Sequence, residues 1–89
     1  MGPPSQQTQY DFFKRHKKAF PEMAKATFLQ VLANELPQTG DGHYRAVTEA
    51  LTHLKAVESA PEFQLRINTI RLEYKRRSNL MAMLTRAKL

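Results

Sequence analysis

The sequence predicts an all-α fold, a small four-helix bundle with helices at about 9–20, 22–35, 43–57 and 60–88, the last of them long. Three observations carry that expectation. Apolar residues recur every three or four positions within each segment, and proline and glycine fall between segments. The sustained two-residue alternation of β-branched side chains that marks a strand is missing.

In the first helix Tyr10, Phe13, Lys17 and Phe20 share one stripe, with Phe12 beside it. Thr8 is placed to cap this helix, and Asp11 suits the positive end of the helix dipole. Phe12 and Phe13 are neighbours, so they point about 100° apart and only one faces fully inward. The other phenyl ring is left to line a groove for an amphipathic peptide. Pro21 ends the first helix or opens the second, because it lacks the amide that a helix interior needs, and Glu22 suits a first turn.

Ala24, Phe28, Val31, Leu32 and Leu36 place the second helix. Pro37 disfavours helical backbone at Leu36, which predicts a stop near residue 35. The stretch from Pro37 to Gly42 is the clearest loop, since Pro and Gly supply turn conformations that other residues resist. Tyr44, Val47, Leu51 and Leu54 then form the seam of a third helix capped by Asp41. Ser59 and Glu62 stand in capping-box register, so the fourth helix begins near Ala60.

The fourth segment carries Phe63, Ile67, Ile70 and Tyr74, then Arg77 where an apolar residue is due, then Met81 and Leu84. Unbroken from 60 to 88 it would be about 43 Å long. A compact chain of this size is roughly 30 Å across. Either the helix kinks near Ser78 and Asn79 and folds back, or its Met81 and Leu84 end is left to meet a partner or a second copy.

With 42% apolar and 25% charged residues, the 89-residue chain has the composition of one globular domain, over about 8–89. Residues 1–7, polar and containing Pro3 and Pro4, read as a disordered lead or an expression remnant. They lack the basic start and apolar stretch of a signal peptide, and no apolar run spans a membrane. The expected location is intracellular and nuclear. With no cysteine, the chain has neither disulfides nor thiolate metal ligands.

The net charge of +6 is unevenly placed. Lys14, Arg15, Lys17 and Lys18 make the start basic, and residues 21–62 are acidic on balance. Arg66, Arg71, Lys75, Arg76, Arg77, Arg86 and Lys88 face Glu73 alone in the last third. Part of this charge has a local use in pairs four residues apart, Asp11 with Arg15, Glu62 with Arg66 and Glu73 with Arg77. The rest is either a solvated face or a surface for phosphates or an acidic partner.

No motif points to catalysis. His16, His43 and His53 have no metal-ligand spacing and read as surface imidazoles; Gly40-Asp-Gly42 lacks the lysine of a phosphate loop and the oxygen ligands of an EF-hand. No cofactor or metal is expected. The order of a short helix, a Pro/Gly loop and two longer helices ending in a basic run resembles the KIX domains that bind activation segments. That likeness is one of arrangement, over about residues 24–78, and the additional first helix departs from it.

The expectation is therefore a non-enzymatic helical protein-interaction module of a nuclear regulatory protein, docking a short apolar or acidic segment. The residues assigned to that surface are Phe12, Lys14, Arg15, Lys17, Lys18, Arg71, Lys75, Arg76, Arg77, Met81 and Leu84. The alternative is a DNA- or RNA-binding domain using the basic faces of the first and last helices. Self-association through the C-terminal helix is a third possibility.

Overall fold

A computed structural model of the chain describes residues 6–89, with side chains from Tyr10 onward. They form five helices and no strand: α1 (Gln6–His16), α2 (Pro21–Glu35), α3 (Asp41–Val57), α4 (Ala60–Glu73) and α5 (Ser78–Arg86). The expectation for residues 1–5 lies outside the described residues, whereas Gln6 and Gln7 belong to α1. Thr8 consequently lies inside α1 and not at its cap.

The first helix ends earlier than its apolar stripe implies. Pro21 opens α2 at its first position, so Phe20 before it takes a non-helical conformation (φ −132°, ψ 62°). The chain must turn before that point. It does so at His16, whose carbonyl accepts from the Ala19 and Phe20 amides at 3.0 and 3.1 Å. At the other end of α2, Pro37 does not expel Leu36 from helical space. Leu36 keeps φ −55° and ψ −42°, and its amide reaches the Leu32 carbonyl.

The loop into α3 depends on Gly40, whose φ of 125° and ψ of 152° define a region open to glycine and closed to residues with a Cβ. Gly40 takes the capping position and Asp41 opens the helix, so Asp41 acts through the dipole instead of as a cap. The Ser59 cap is present: its hydroxyl accepts from the Glu62 amide at 3.4 Å. Glu62 does not complete the box, because its carboxylate pairs with Lys25 of α2 at 2.5 Å.

The long fourth helix is interrupted. Residues 74–77 turn, and α5 folds back onto α3. Arg77 accounts for the break. Its guanidinium lies over the Tyr74 ring, 4.8 Å from the centroid, and donates to the Leu36 carbonyl and, at 3.3 Å, to that of Gln38. The orphan carbonyls at the end of α2 thus gain a donor from a residue some forty positions away. The turn resets the helical phase, so Leu80 joins Leu84 in the core while Met81 is half-buried against it. Leu84 is fully buried and is unavailable to a partner, which overturns the reading of the C-terminal seam as a free surface.

The core holds Phe28 of α2, Val47, Leu51 and Leu54 of α3, and Leu80 and Leu84 of α5, all fully buried, with Tyr10, Phe13, Phe63, Ile67 and Ile70 around them. A buried ion cluster ties three helices together. Glu58, at the end of α3, has a fully buried side chain and accepts from Arg66 at 2.8 and 2.9 Å, with Lys25 of α2 at 3.8 Å. Arg66 therefore serves the residue eight before it, and its guanidinium, hydrogen-bonded to Glu58, is held more firmly protonated than usual.

Candidate interaction surface

The turn from α1 to α2 presents large apolar side chains to solvent. Phe12 is 47% exposed, Phe20 44% and Met23 60%. Phe13 is the inward member of the adjacent pair, as the helical geometry requires, and Phe12 is the outward one. The rings stand together: Phe12 lies 5.1 Å from Phe13, 4.7 Å from His16 and 6.1 Å from Phe20. Two exposed phenyl rings grouped in this way are unlike the scattered single apolar residues that an ordinary surface carries.

Cations neighbour this patch in the sequence. Arg15 and Lys18 are exposed, and Lys17 is half-buried with its ammonium donating to the Lys14 carbonyl at 3.3 Å. They fall in the last turn of α1 and just beyond it, where positive charge also stabilises the helix dipole. Lys14 points another way, to Glu49 of α3 at 3.1 Å.

The second basic segment is not continuous with the first. Arg77 is committed to the end of α2, and Arg71 donates to the Leu89 carbonyl at 2.5 Å, pinning the chain end beside α4. Only Lys75 and Arg76 of that group are exposed. The α1 cations lie at the start of α2 and Arg77 at its end, a separation of about 22 Å along a helix of this length. The structure does not bring the two basic segments onto one site.

A polar recess of about 440 Å³ lies between α1, α2 and α3, lined in part by Tyr10, Lys14, Asn34, Glu35 and Glu49. Burial pushes the Tyr10 phenol well up, and the neighbouring Glu49 carboxylate adds to the effect. Burial also raises Glu49, but the Lys14 ammonium and the Tyr10 hydroxyl outweigh it and hold the carboxyl below its usual range. These groups serve one another and fasten α1 to α3.

His53 was expected at the surface, yet its ring stacks on Phe28 at 5.2 Å and its side chain is only 15% exposed. Burial, and then the charges of Lys17 and Lys14, lower its pKa against the opposing pull of Glu49. Sequence reasoning missed it because position 53 flanks the Val47, Ala50 and Leu54 stripe without lying on it.

Leu65 and Leu72 were also missed. They are 69% and 70% exposed on the side of α4 opposite Phe63, Ile67 and Ile70. The signal was a second apolar pair seven residues apart, set against the main seam. Among the described residues, no group of three or more His, Cys, Asp or Glu side chains is arranged to hold a metal ion. No helix there is long and apolar enough to cross a membrane. Comparison of the chain with protein-family models, with curated proteins and with solved structures gave no match.

Proposed function

We propose that the chain is a non-enzymatic helical interaction module that docks a short acidic segment bearing apolar side chains onto the α1–α2 turn. The observation that carries this reading is the pair of exposed rings Phe12 and Phe20, 6.1 Å apart, on a turn whose sequence also carries exposed Met23, Arg15 and Lys18. The aromatic pair would take up apolar anchors, and the neighbouring Arg15 and Lys18 would steer acidic partners toward it. The second reading, DNA or RNA binding, is disfavoured by the separation of the basic segments and by the internal use of Arg71 and Arg77.

The test is an amide-shift titration with a synthetic peptide alternating Asp or Glu with Phe and Leu. Shifts should cluster on residues 12–23. Phe12→Ala should weaken binding about ten-fold with little change in stability, the loss of one well-placed anchor. Arg15→Glu with Lys18→Glu should weaken it further and flatten its salt dependence. Shifts scattered over the surface would refute the reading. Tighter and steeply salt-dependent binding to a DNA duplex, or to phosphatidylserine vesicles, would replace it.

A further inference from the structure

Three aromatic rings from three helices meet beside α1. The His53 imidazole of α3 stacks on Phe28 of α2, with ring centres 5.2 Å apart and planes within 24°. Tyr10 of α1 meets both edge-on, 6.1 Å from His53 and 5.7 Å from Phe28. The charges at this junction come from α1 and α3. Glu49 stands one turn before His53, 3.8 Å from its Nε2, and its carboxylate is shared with the Lys14 ammonium of α1 at 3.1 Å and the Tyr10 hydroxyl. Lys17 of α1 adds a second ammonium close enough to act on the imidazole, and α2 presents the uncharged Phe28 face.

We infer that His53 is a proton-operated latch on α1: neutral, it keeps α1 packed against α2 and α3, and protonated, it lets α1 swing away while α2 to α5 stay folded. A neutral imidazole suits a place between two aromatic rings where its side chain is only 15% exposed. A proton puts a cation where Lys14 already takes up the Glu49 carboxylate. Both like charges that oppose it, Lys14 and Lys17, sit on α1. Departure of α1 removes the two ammonium groups and the Tyr10 cover together, while Phe28 and Glu49 remain to attract the imidazolium.

Burial first, then Lys17 and Lys14, outweigh the pull of Glu49 and hold the His53 pKa below its usual 6.5. Docking of α1 is therefore strongest above that value and weakens as pH falls, levelling off below the lowered pKa. α1 is also the helix best placed to leave. The largest fully buried side chains belong to α2, α3 and α5, and α1 adds Tyr10 and Phe13 at the margin of the core, each 9% exposed. The latch acts on α1 whether or not the α1–α2 turn docks a partner.

Native-state amide exchange in low urea tests the latch, with rates referred to an unstructured chain at the same pH. Global unfolding frees His53 too, so local opening is recognised by its weak urea dependence. Residues 10–16 should exchange through an opening that urea hardly affects, and residues 47–54 of α3 should follow urea steeply. Between about pH 7.5 and pH 5.5, protection of residues 10–16 should fall by up to about ten-fold per pH unit, the limit for one proton. His53→Phe should abolish that fall, which isolates this imidazole from the other two histidines. His53→Gln, equally unable to take up the proton, should do the same and stands in if the phenyl ring packs badly. Exchange of α1 that follows urea as steeply as that of α3 overturns the inference. So does α1 protection that stays level while the His53 ring titrates by NMR, or a pH dependence that persists in the variants.

Discussion

The buried ion cluster at Glu58 predicts an asymmetry that a simple count of salt bridges would miss. Removing either member of the Glu58–Arg66 pair deletes the same two hydrogen bonds, at 2.8 and 2.9 Å. What is left behind differs. Arg66→Met strands a carboxylate whose side chain is fully buried, with Lys25 as its remaining ion-pair partner at 3.8 Å. That case approaches the range of about 3–5 kcal/mol for breaking a buried pair from one side, and the residual Lys25 contact brings the expected cost to about 3 kcal/mol.

Glu58→Gln strands only Arg66, which can rehydrate, because Lys25 keeps its ion pair with Glu62 at 2.5 Å. The side chains of Arg66 and Lys25 are 27% and 30% exposed, and the glutamine still accepts one hydrogen bond from Arg66. Its cost should be nearer about 1.5 kcal/mol. For a domain of this size 1 kcal/mol moves Tm by roughly 4–8 °C, so the two variants separate readily. Urea unfolding at neutral pH supplies both values, and the double variant closes the cycle. Because Met and Gln strand no charge together, the double should be less destabilised than the sum of the singles. A larger cost for Glu58→Gln than for Arg66→Met, or an additive double, would refute the reasoning.

Gly40→Ala should lose about 1–3 kcal/mol in the same assay, because φ 125° is unfavourable for any Cβ even though His43 leaves it room at 3.8 Å. Leu84→Ala should cost about 2–5 kcal/mol, since α5 belongs to the core; an effect within about 0.5 kcal/mol would return the C-terminal segment to the surface. Stability should also fall in acid in two stages. The His53 pKa is lowered in the folded chain, so the unfolded chain takes up its proton first. Stability therefore begins to fall as pH drops below the ordinary value of 6.5 and stops falling through this group below its folded pKa. Glu49, also lowered, contributes stability above 4.5 that is lost as pH falls through its folded pKa. His53→Phe should remove the upper stage and leave the lower one, as followed by urea midpoints between pH 7 and pH 3.

The parts of the fold that were legible in the sequence are those set by neighbours a few positions apart. Helical spacing located the cores of α2 and α3, the Ser59 cap marked the start of α4, and adjacency alone required Phe12 or Phe13 to face outward. The exposed Phe12, with exposed Arg15 and Lys18 following it in the sequence, could be proposed for the same reason. The ends of α1 were not legible, and the division of the long C-terminal helix was legible only as one of two alternatives, the kink near Ser78 and Asn79, because each is decided by something that local spacing omits. Proline at position 21 forces the turn upstream of itself, and the apolar stripe running through Phe20 gives no sign of it.

Arg77 is the clearer case. In the seam count it is a polar interruption that a continuous helix would simply carry on its surface, four residues after Glu73 in a favourable pairing order. A surface pair of that kind contributes about 0.5 kcal/mol, too little to bend a helix or hold it straight. The carbonyls at the end of α2 offer more, because they give the guanidinium charge-assisted hydrogen bonds, and the one to Leu36 is partly sheltered from water. The guanidinium turns to them, the helix ends at Glu73, and Leu80 and Leu84 drop into the core over α3. The residue that looked like a flaw in the seam is thus where the long helix divides. Arg77→Ala should accordingly loosen two places at once, raising amide exchange at the end of α2 and across residues 74–80 together. Exchange confined to residues 74–80 would mean that the break holds without the bond to α2.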